Sequence, residues 1–518
     1  MRLRCSHLVS LLLLASACAI APERTYDEVP LEVPQQWSFA SSDEFANEPW
    51  WEQLGGAELT ALVAEALRYN RDLEAAAARV DAALAQGVMA GALRKPSLGL
   101  GYDVARSRQN FIGFPVAGQA SSSEVFSNQF TNQGVSLDAS WEIDLWGGLA
   151  AGERAALADV DAAQAEWRAA RLSLAGQTVK AWLAVVEGRL QAQLANEVAE
   201  NFRANTEFVR RRYRQGRADA LDLRLLESDL ASADANDRAA QEDLARRRRQ
   251  LELLLGRYPS GAVEAQAELP AMPPAPPAGL PSELLLRRPD LVAAERRLAA
   301  ADHRLYAART ELYPSISLTG SAGRRGEDFD QLFDPDFDIW SIAANALQPL
   351  YGGGRLRAGV ELQDAQAREA LAGYADRVLS AFGEVEGALV AEELLEGQEH
   401  HLSGAAAQAQ AAWELSQDRY QGGVVDVVTV LTSQRRAAEA RRAALSVRRA
   451  RVDNRVELYL ALGGDFDEAW AASHEGEEAV ADTNPSDGAS TTGESIVKLP
   501  EHVRLDTDAA REKGPKNP

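Results

Sequence analysis

Residues 134–148 read GVSLDASWEIDLWGG, and the change of pattern within this stretch decides the fold. From Val135 to Leu145, apolar residues alternate with polar ones, and most of the polar ones are acidic, which predicts a β-strand with one apolar and one acidic face. After Gly148 there is no proline until Pro259, and the strong helix formers Ala, Leu, Arg and Glu dominate. The sequence therefore predicts a strand that leads directly into very long helices.

The helical segment carries a buried stripe. Its apolar residues recur every three or four positions, as at Val179, Leu183 and Val186. Because Gly216 interrupts the pattern, we expect one helix over 149–214 and a returning helix over 219–256. At about 1.5 Å per residue, the first helix would extend roughly 100 Å, which is enough to cross the periplasm.

This pattern occurs twice. The first copy carries Asp72-Leu73, Arg79, Pro96-Ser97, Trp146-Gly147-Gly148 and Arg212-Tyr213 with Gly216, and the second carries Asp290-Leu291, Arg297, Pro314-Ser315, Tyr351-Gly352-Gly353 and Arg419-Tyr420 with Gly423. The offset is 218 for the first three pairs (290 − 72), then 205 (352 − 147) and 207 (423 − 216). A period this long indicates a duplicated structural unit rather than a short-repeat solenoid.

Each copy is predicted to contain the same elements in the same order. In the second copy the long helix is expected over 355–420, with a return to Leu462. Shorter helices are expected over 57–93 and 282–312, further strands over 98–104, 316–320 and 337–350, and loops over 106–133 and 324–336. The fold class is therefore α+β, a duplicated β-hairpin joined to a long α-helical hairpin.

The N-terminus has the pattern of an export signal, with Arg2 and Arg4 followed by a short apolar stretch and then Ala15-Ser16-Ala17-Cys18. Small residues before a cysteine indicate a lipoprotein signal peptide over 1–17, with Cys18 as the lipid anchor; plain secretion is the alternative. The expected domains are a lipid-anchored segment 18–56, the first repeat 57–258, a Pro-rich linker 259–281, the second repeat 282–464, and an acidic disordered tail 465–518.

Composition excludes several functions. With 54 basic and 77 acidic residues and no basic stripe, the chain does not resemble a nucleic-acid binder. The run Arg246 to Arg249 is expected to be a solvated helix face. No zinc-type histidine spacing, phosphate loop or nucleophile elbow occurs, so we expect no enzyme activity, no cofactor and no metal.

Membrane spanning would have to use the strands, because no run approaches the roughly 18 to 20 apolar residues that a transmembrane helix needs. On the strand over 134–145, the acidic residues Asp138, Glu142 and Asp144 would face an aqueous lumen while the apolar face meets lipid. Four strands cannot close a barrel. They either form a soluble sheet or are pooled with those of other chains, eight strands from two chains or twelve from three.

The segment 284–322, LLLRRPDLVAAERRLAAADHRLYAARTELYPSISLTGSAG, resembles the TolC-like outer-membrane efflux proteins, in particular the lipoprotein branch that works with resistance-nodulation-division pumps. Matching stretches extend over roughly residues 45–464. The resemblance implies a homotrimer with a twelve-stranded barrel in the outer membrane and a twelve-helix periplasmic tunnel. It also implies a passive exit duct whose partners are a periplasmic adaptor and an inner-membrane pump.

The resemblance places the two Tyr-x-x-Gly turns at the periplasmic tip, where the tunnel narrows and the adaptor binds. The candidate aperture residues are Tyr213, Gly216, Asp219 and Asp222 in the first copy and Tyr420, Gly423, Asp426 and Thr429 in the second. In a threefold assembly each inward carboxylate would become a ring that selects cations. Alternatively, Asp219 and Asp426 cap the returning helices, since Asp is a favoured N-cap. For the whole chain, the competing hypothesis is a non-porous periplasmic coiled-coil spacer or adaptor lipoprotein.

Overall fold

A computed structural model describes residues 37, 50–111, 126–266, 268–273, 276 and 281–464. The predicted signal peptide 1–17, Cys18, most of the segment 18–56 and the tail 465–518 lie outside the described residues. In chain order the elements are α1 (Glu52–Tyr69), α2 (Arg71–Ala92), β1 (Ser97–Phe111), β2 (Phe126–Glu142), α3 (Gly148–Arg214), α4 (Ala220–Leu254), α5 (Pro281–Arg287), α6 (Pro289–Thr310), β3 (Ser315–Gly326), β4 (Asp338–Leu347), α7 (Arg355–Gln421) and α8 (Val427–Ala461). Two short 3₁₀ helices, Phe329–Phe333 and Pro335–Phe337, connect β3 to β4.

The long helices confirm the duplication and correct one detail of it. Helices α3 and α7 have 67 residues each, α4 and α8 have 35 each, and every helix of the second hairpin begins 207 residues after its counterpart (355 − 148, 427 − 220). The residues before α3 and α7 are Gly147 and Gly354, both left-handed with φ of +74° and +85°. Gly147 therefore corresponds to Gly354 rather than Gly352, so the offset of 205 was wrong because matching the Gly-Gly letters ignored which glycine begins the helix.

The shorter helices are broken where the sequence predicted continuity. The helix expected over 57–93 divides into α1 and α2 at Asn70, whose Oδ1 accepts the N–H groups of Asp72 (3.0 Å) and Leu73 (3.2 Å) as an N-cap. The helix expected over 282–312 divides at Arg288, before Pro289. Asn70 Nδ2 donates to the carbonyl of Leu254 (3.0 Å), at the end of α4, so α2 begins where α4 stops.

The four strands form one antiparallel sheet in the order β1-β2-β3-β4. The predicted loop over 106–133 was too long at both ends, because β1 continues to Phe111 and β2 begins at Phe126; residues 112–125 lie outside the described part. These strand ends carry mostly polar residues on both faces, so they lack the alternation that identifies a strand. Likewise β3 runs to Gly326, inside the loop predicted over 324–336.

The register gives the sheet one apolar and one polar face. Leu100 pairs with Leu137, Leu137 with Ala322, and Ala322 with Trp340, so one apolar row crosses all four strands. On the other face, Asp138 lies between Gly99 and Ser321. Strands β1 and β4 are the edges of the sheet in the described chain.

Two of the apolar clusters among the described residues connect the long helices. One joins the ends of both hairpins and contains Phe202, Leu226, Val427 and Leu431. The other is formed by Leu291, Val385 and Leu458 with their neighbours on α6, α7 and α8. In the part of the chain that the structure describes, no helix combines the length and apolar character that crossing a membrane requires.

Candidate functional site

The two hairpin tips have the same turn. At the first, the N–H of Gly216 donates to the carbonyl of Tyr213 (2.9 Å) and the N–H of Arg217 to that of Arg212 (2.8 Å). At the second, Gly423 donates to Tyr420 (3.0 Å) and Val424 to Arg419 (2.9 Å). Gly216 and Gly423 have φ of +69° and +74°, which an L side chain adopts only with strain, so these glycines end the helices.

The predicted tip carboxylates begin the returning helices. Asp219 accepts the N–H of Leu221 (3.4 Å), and Asp426 Oδ1 accepts both the N–H (2.8 Å) and the hydroxyl (2.6 Å) of Thr429. The hydroxyl bond from Thr429, followed by the N–H bond, lowers the pKa of Asp426 below its usual range. Asp426 is therefore an ionised, exposed N-cap, and the capping interpretation of both residues agrees with this geometry.

The two tip tyrosines differ in environment. Tyr420 packs edge-on against Phe208 with ring centroids 6.4 Å apart, and the Arg212 guanidinium lies 5.7 Å from the Tyr420 ring. Burial raises the pKa of Tyr420, an effect that Arg212 opposes and Asp222 strengthens. Tyr213 is 45% exposed. The structure thus brings Tyr420 and Asp222 together between the hairpins and leaves Tyr213 on an open face.

A cleft of about 500 Å³, lined by both polar and apolar side chains, lies beside the second tip. Asp426, Thr429, Thr432 and Arg436 contribute to its lining. A carboxylate, two hydroxyls and a guanidinium can bind a polar partner segment, and the residues form no pattern of a catalytic nucleophile and base.

On the sheet, two of the three predicted acidic residues lie in β2. Asp138 accepts a hydrogen bond from the Ser136 hydroxyl (2.8 Å), and Glu142, the last residue of β2, pairs with Ser317. The prediction for Asp144 was wrong, because β2 ends before it and its carboxylate accepts the N–H groups of Leu149 (3.1 Å) and Ala150 (2.7 Å). Asp144 therefore caps α3, where its charge also complements the helix dipole.

Sequence reasoning missed a buried ion cluster between α3, α4 and α8. Glu187, whose side chain is 6% exposed, accepts from Arg247 (2.7 Å), Arg449 (3.1 Å) and Ser446 (3.1 Å). Burial opposes ionisation of Glu187, but the two arginines prevail and lower its pKa. The interpretation of Arg246 to Arg249 as a solvated face was therefore wrong for Arg247. The sequence signal that could have revealed this cluster was Glu187 itself, a single acidic residue within the apolar stripe of α3. A buried carboxylate needs a partner of opposite charge or a hydrogen-bond donor.

A second missed residue is Arg288, which is 9% exposed. Its guanidinium contacts Asp290 (2.8 Å), Glu384 (2.6 Å) and the carbonyl of Ala461 (3.3 Å), so it joins α6, α7 and α8. Arg288 lies 218 residues after Asn70, and each contacts the last residue of the helical hairpin that follows it in the chain. The duplication itself was the signal that could have found it.

Two long helical hairpins and one amphipathic sheet make up the described chain, and each copy of the duplicated unit contributes one hairpin and two strands. Residues 62–257 and 280–464 match the family described as Outer membrane efflux protein, one match in each copy. The chain belongs to this family, which confirms the predicted resemblance.

Known relatives extend over nearly the whole chain. It is 32% identical over 481 residues to the Pyoverdine export outer membrane protein OpmQ of Pseudomonas aeruginosa, covering 90% of this chain and 98% of that one. It is 33% identical over 478 residues to Outer membrane protein OprJ of the same organism, covering 89% and 96%. The crystal structure of CusC superimposes with a TM-score of 0.75 at 27% identity, covering 86% and 99%. The protein is therefore an outer-membrane efflux channel.

Proposed function

We propose that three copies of this chain form the exit duct of a tripartite efflux system. Twelve pooled strands would close a barrel in the outer membrane, and twelve helices would continue it through the periplasm. A periplasmic adaptor would bind the tips, and a resistance-nodulation-division pump in the inner membrane would supply the energy. The observation that carries this proposal is the four-stranded sheet with a continuous apolar face and two edges without partners.

The apolar face needs an apolar environment. Leu100 is 80% exposed, Trp340 77% and Ile342 74%, all on the same face. Contiguous apolar patches of this kind mark membrane or protein contacts. Since the opposite face carries Ser136, Asp138 and Thr319, the sheet fits a wall between lipid and water.

The free edges of the sheet explain why strands from several chains would combine into one barrel. The outer backbone groups of β1 and β4 have no partner strand in the described chain. In lipid each unsatisfied backbone group costs several kcal/mol, so a membrane-embedded sheet must close. Pairing β4 of one copy with β1 of the next achieves closure, and the family resemblance favours three copies over two.

The tips would form the inner aperture. Asp426 and Thr429 lie exposed at the start of α8, where they line the cleft beside the second tip, and threefold symmetry would repeat them around the axis. A ring of ionised carboxylates would favour cations and resist constriction through like-charge repulsion. Capping and gating are compatible, because Asp426 uses Oδ1 for the cap.

Conductance of the purified full-length protein in planar lipid bilayers tests the duct. We expect steady, cation-preferring currents, and the Asp138→Asn, Glu142→Gln double variant should conduct with weaker cation preference because its lumen face keeps its shape and loses its charge. A silent bilayer would instead support the non-porous spacer, whose sheet would have no use for a lipid-compatible face.

A further inference from the structure

The duplication allows contacts inside the chain to be used as templates for contacts outside it. Within the chain, α3 of the first copy packs against α6 and α8 of the second and meets the end of α7 at the tip, and we call this contact the internal seam. A Cβ on Gly176 of α3 would overlap the side chain of Leu460 of α8, so Leu460 lies directly on Gly176. Nearer the sheet, Gly147 lies against the ring of Tyr306: a Cβ on Gly147 would lie 3.8 Å from the nearest atoms of that side chain. At the tip, Phe208 and Arg212 contact Tyr420.

Each of these three contacts has a counterpart, which is the pair of residues at the corresponding positions of the duplicated unit. Within one chain the two residues of each counterpart pair lie apart. Shifting by 207 residues relates α3 to α7 and α4 to α8, and shifting by 218 relates α2 to α6 (289 − 71). Gly176 and Leu460 then correspond to Gly383 and Leu253. Leu253 is 60% exposed, and no heavy atom lies within 4 Å of a Cβ at Gly383.

The other two templates give the same result. The counterparts of Gly147 and Tyr306 are Gly354, which also has nothing within 4 Å, and Val88, which is 75% exposed. The counterparts of Phe208 and Tyr420 are Leu415, 52% exposed, and Tyr213, 45% exposed. The separated halves lie on α7 and its N-cap on one side and on α2, α3 and α4 on the other, from the sheet to the tip.

We propose that these halves form an outer seam between neighbouring copies of this chain, in which Leu253 of one copy occupies the position over Gly383 of the next. This inference rests on the proposed trimer and adds its register. The outer seam repeats the internal one, so three chains give six equivalent seams around the tunnel.

The two seams differ in how they are held. The internal seam contains the ion pairs Lys180–Glu457 (2.8 Å) and Glu197–Arg441 (2.9 Å). Their counterparts are Gly387 with Gln250 and Gly404 with Asp234, which cannot form ion pairs. Because Gly383, Gly387 and Gly404 leave the surface of α7 without side chains, the neighbouring helix can approach closely. The outer seam is therefore held by packing rather than by charge.

Disulfide trapping tests the register in the full-length protein in detergent. Each variant is oxidised with copper-phenanthroline and air, which removes two electrons and two protons from a thiol pair, and is analysed by non-reducing gel. The Leu253→Cys, Gly383→Cys variant should give linked dimers and trimers. Gly176→Cys with Leu460→Cys should link within one chain, and Leu253→Cys with Gly397→Cys, about 20 Å further along α7, should not link.

The oligomeric state of each variant before oxidation distinguishes a wrong register from a wrong assembly. A trimer that gives no Leu253–Gly383 link, or links equally well through position 397, overturns the register and leaves the proposed duct intact. A protein that is monomeric before oxidation overturns both.

A packing exchange provides an independent check. Gly383→Leu should lower the temperature at which the trimer dissociates by about 5 °C, because two leucines would compete for one space. Adding Leu253→Ala should restore most of the loss. Gly359→Leu is a matched control on the same helix, because nothing lies within 4 Å of a Cβ at its counterpart Gly152 in the internal seam. An equal effect at Gly359, or no rescue by Leu253→Ala, would contradict the proposed contact.

Discussion

Helices α3 and α7 have the same length and the same role in the duplicated unit, yet their environments differ. Buried residues occur along most of α3, from Ala151 to Val209, whereas on α7 they concentrate between Val378 and Leu389. Helix α3 has neighbours on both sides within the chain, and α7 has them on one side. This difference is what the proposed outer seam would produce, because the exposed face of α7 would be covered only in the assembly.

The contact between the end of each hairpin and the shorter helix of the same copy shows how far the copies have diverged. Asn70 caps α2 with a neutral amide, while Arg288, at the corresponding position, forms a charged cluster with Asp290 and Glu384. The same mechanical task, fixing the start of one helix to the end of another, is performed with different chemistry. Substitutions at matched positions measure this difference directly.

The largest effect is expected at Arg288. Arg288→Ala removes the cation from a buried cluster and should lower the free energy of unfolding by about 3 kcal/mol. Asn70→Ala removes a cap and should cost about 1 kcal/mol. Denaturant titration of both variants checks the ratio, and equal losses would mean that the charged cluster adds nothing to the junction.

The next largest effect concerns Asp453, which lies beside the Glu187 cluster of the internal seam and pairs with Arg449 (3.0 Å). Burial raises the pKa of Asp453 to about 6, although Arg449 and Lys180 oppose this and Glu457 and Glu187 add to it. Since the folded pKa exceeds the unfolded one, the folded state binds the extra proton, and stability from this group falls as pH rises through about 6.

Asp453→Asn should therefore stabilise the protein by about 2 kcal/mol at pH 7, with the gain disappearing near pH 4. Thermal unfolding of variant and parent across this range provides the measurement. A constant difference at all pH values would show that Asp453 does not titrate in this window. The counterparts of Glu187 and Asp453 are Leu394 and Arg246, so no such dependence is expected from the outer seam.

The smallest effect on stability, with a separate effect on conductance, is expected at Asp426. Asp426→Ala should cost about 1 kcal/mol by removing the cap, and Asp426→Asn should cost less because an amide oxygen can still accept the Thr429 N–H. If the charge also shapes the aperture, both variants should leak more current in bilayers, alone or combined with Asp219→Ala. Leak in the Ala variant only would restrict Asp426 to capping.

Local patterns predicted the helices and the strand centres well. The absence of proline and the regular stripe gave α3 and α7 to within one residue, because long helices depend on local propensity. The ends of β1 and β2 were missed because cross-strand hydrogen bonds hold them without an alternating pattern. The breaks at Asn70 and Arg288 were missed because distant carbonyls of Leu254 and Ala461 fix them.

The candidate site, like the fold, was predictable where it depends on local sequence patterns. The turn glycines and the tip carboxylates follow from local rules for helix ends, and the structure gives them those geometries. Glu187 has partners 60 and 262 positions away, Arg247 and Arg449, and the Arg212 contact of Tyr420 joins two different hairpins, none of which a local pattern can supply. Asp144 was misassigned because the alternation continues past the point where the strand ends and the helix cap begins.

The central claim is that the open face of α7 and the free edges of the sheet are covered by copies of the same chain. Native mass spectrometry of the full-length protein, released from detergent, tests it most directly. The account predicts a mass of three chains. A single chain that remains folded would contradict the assembly, and with it the duct.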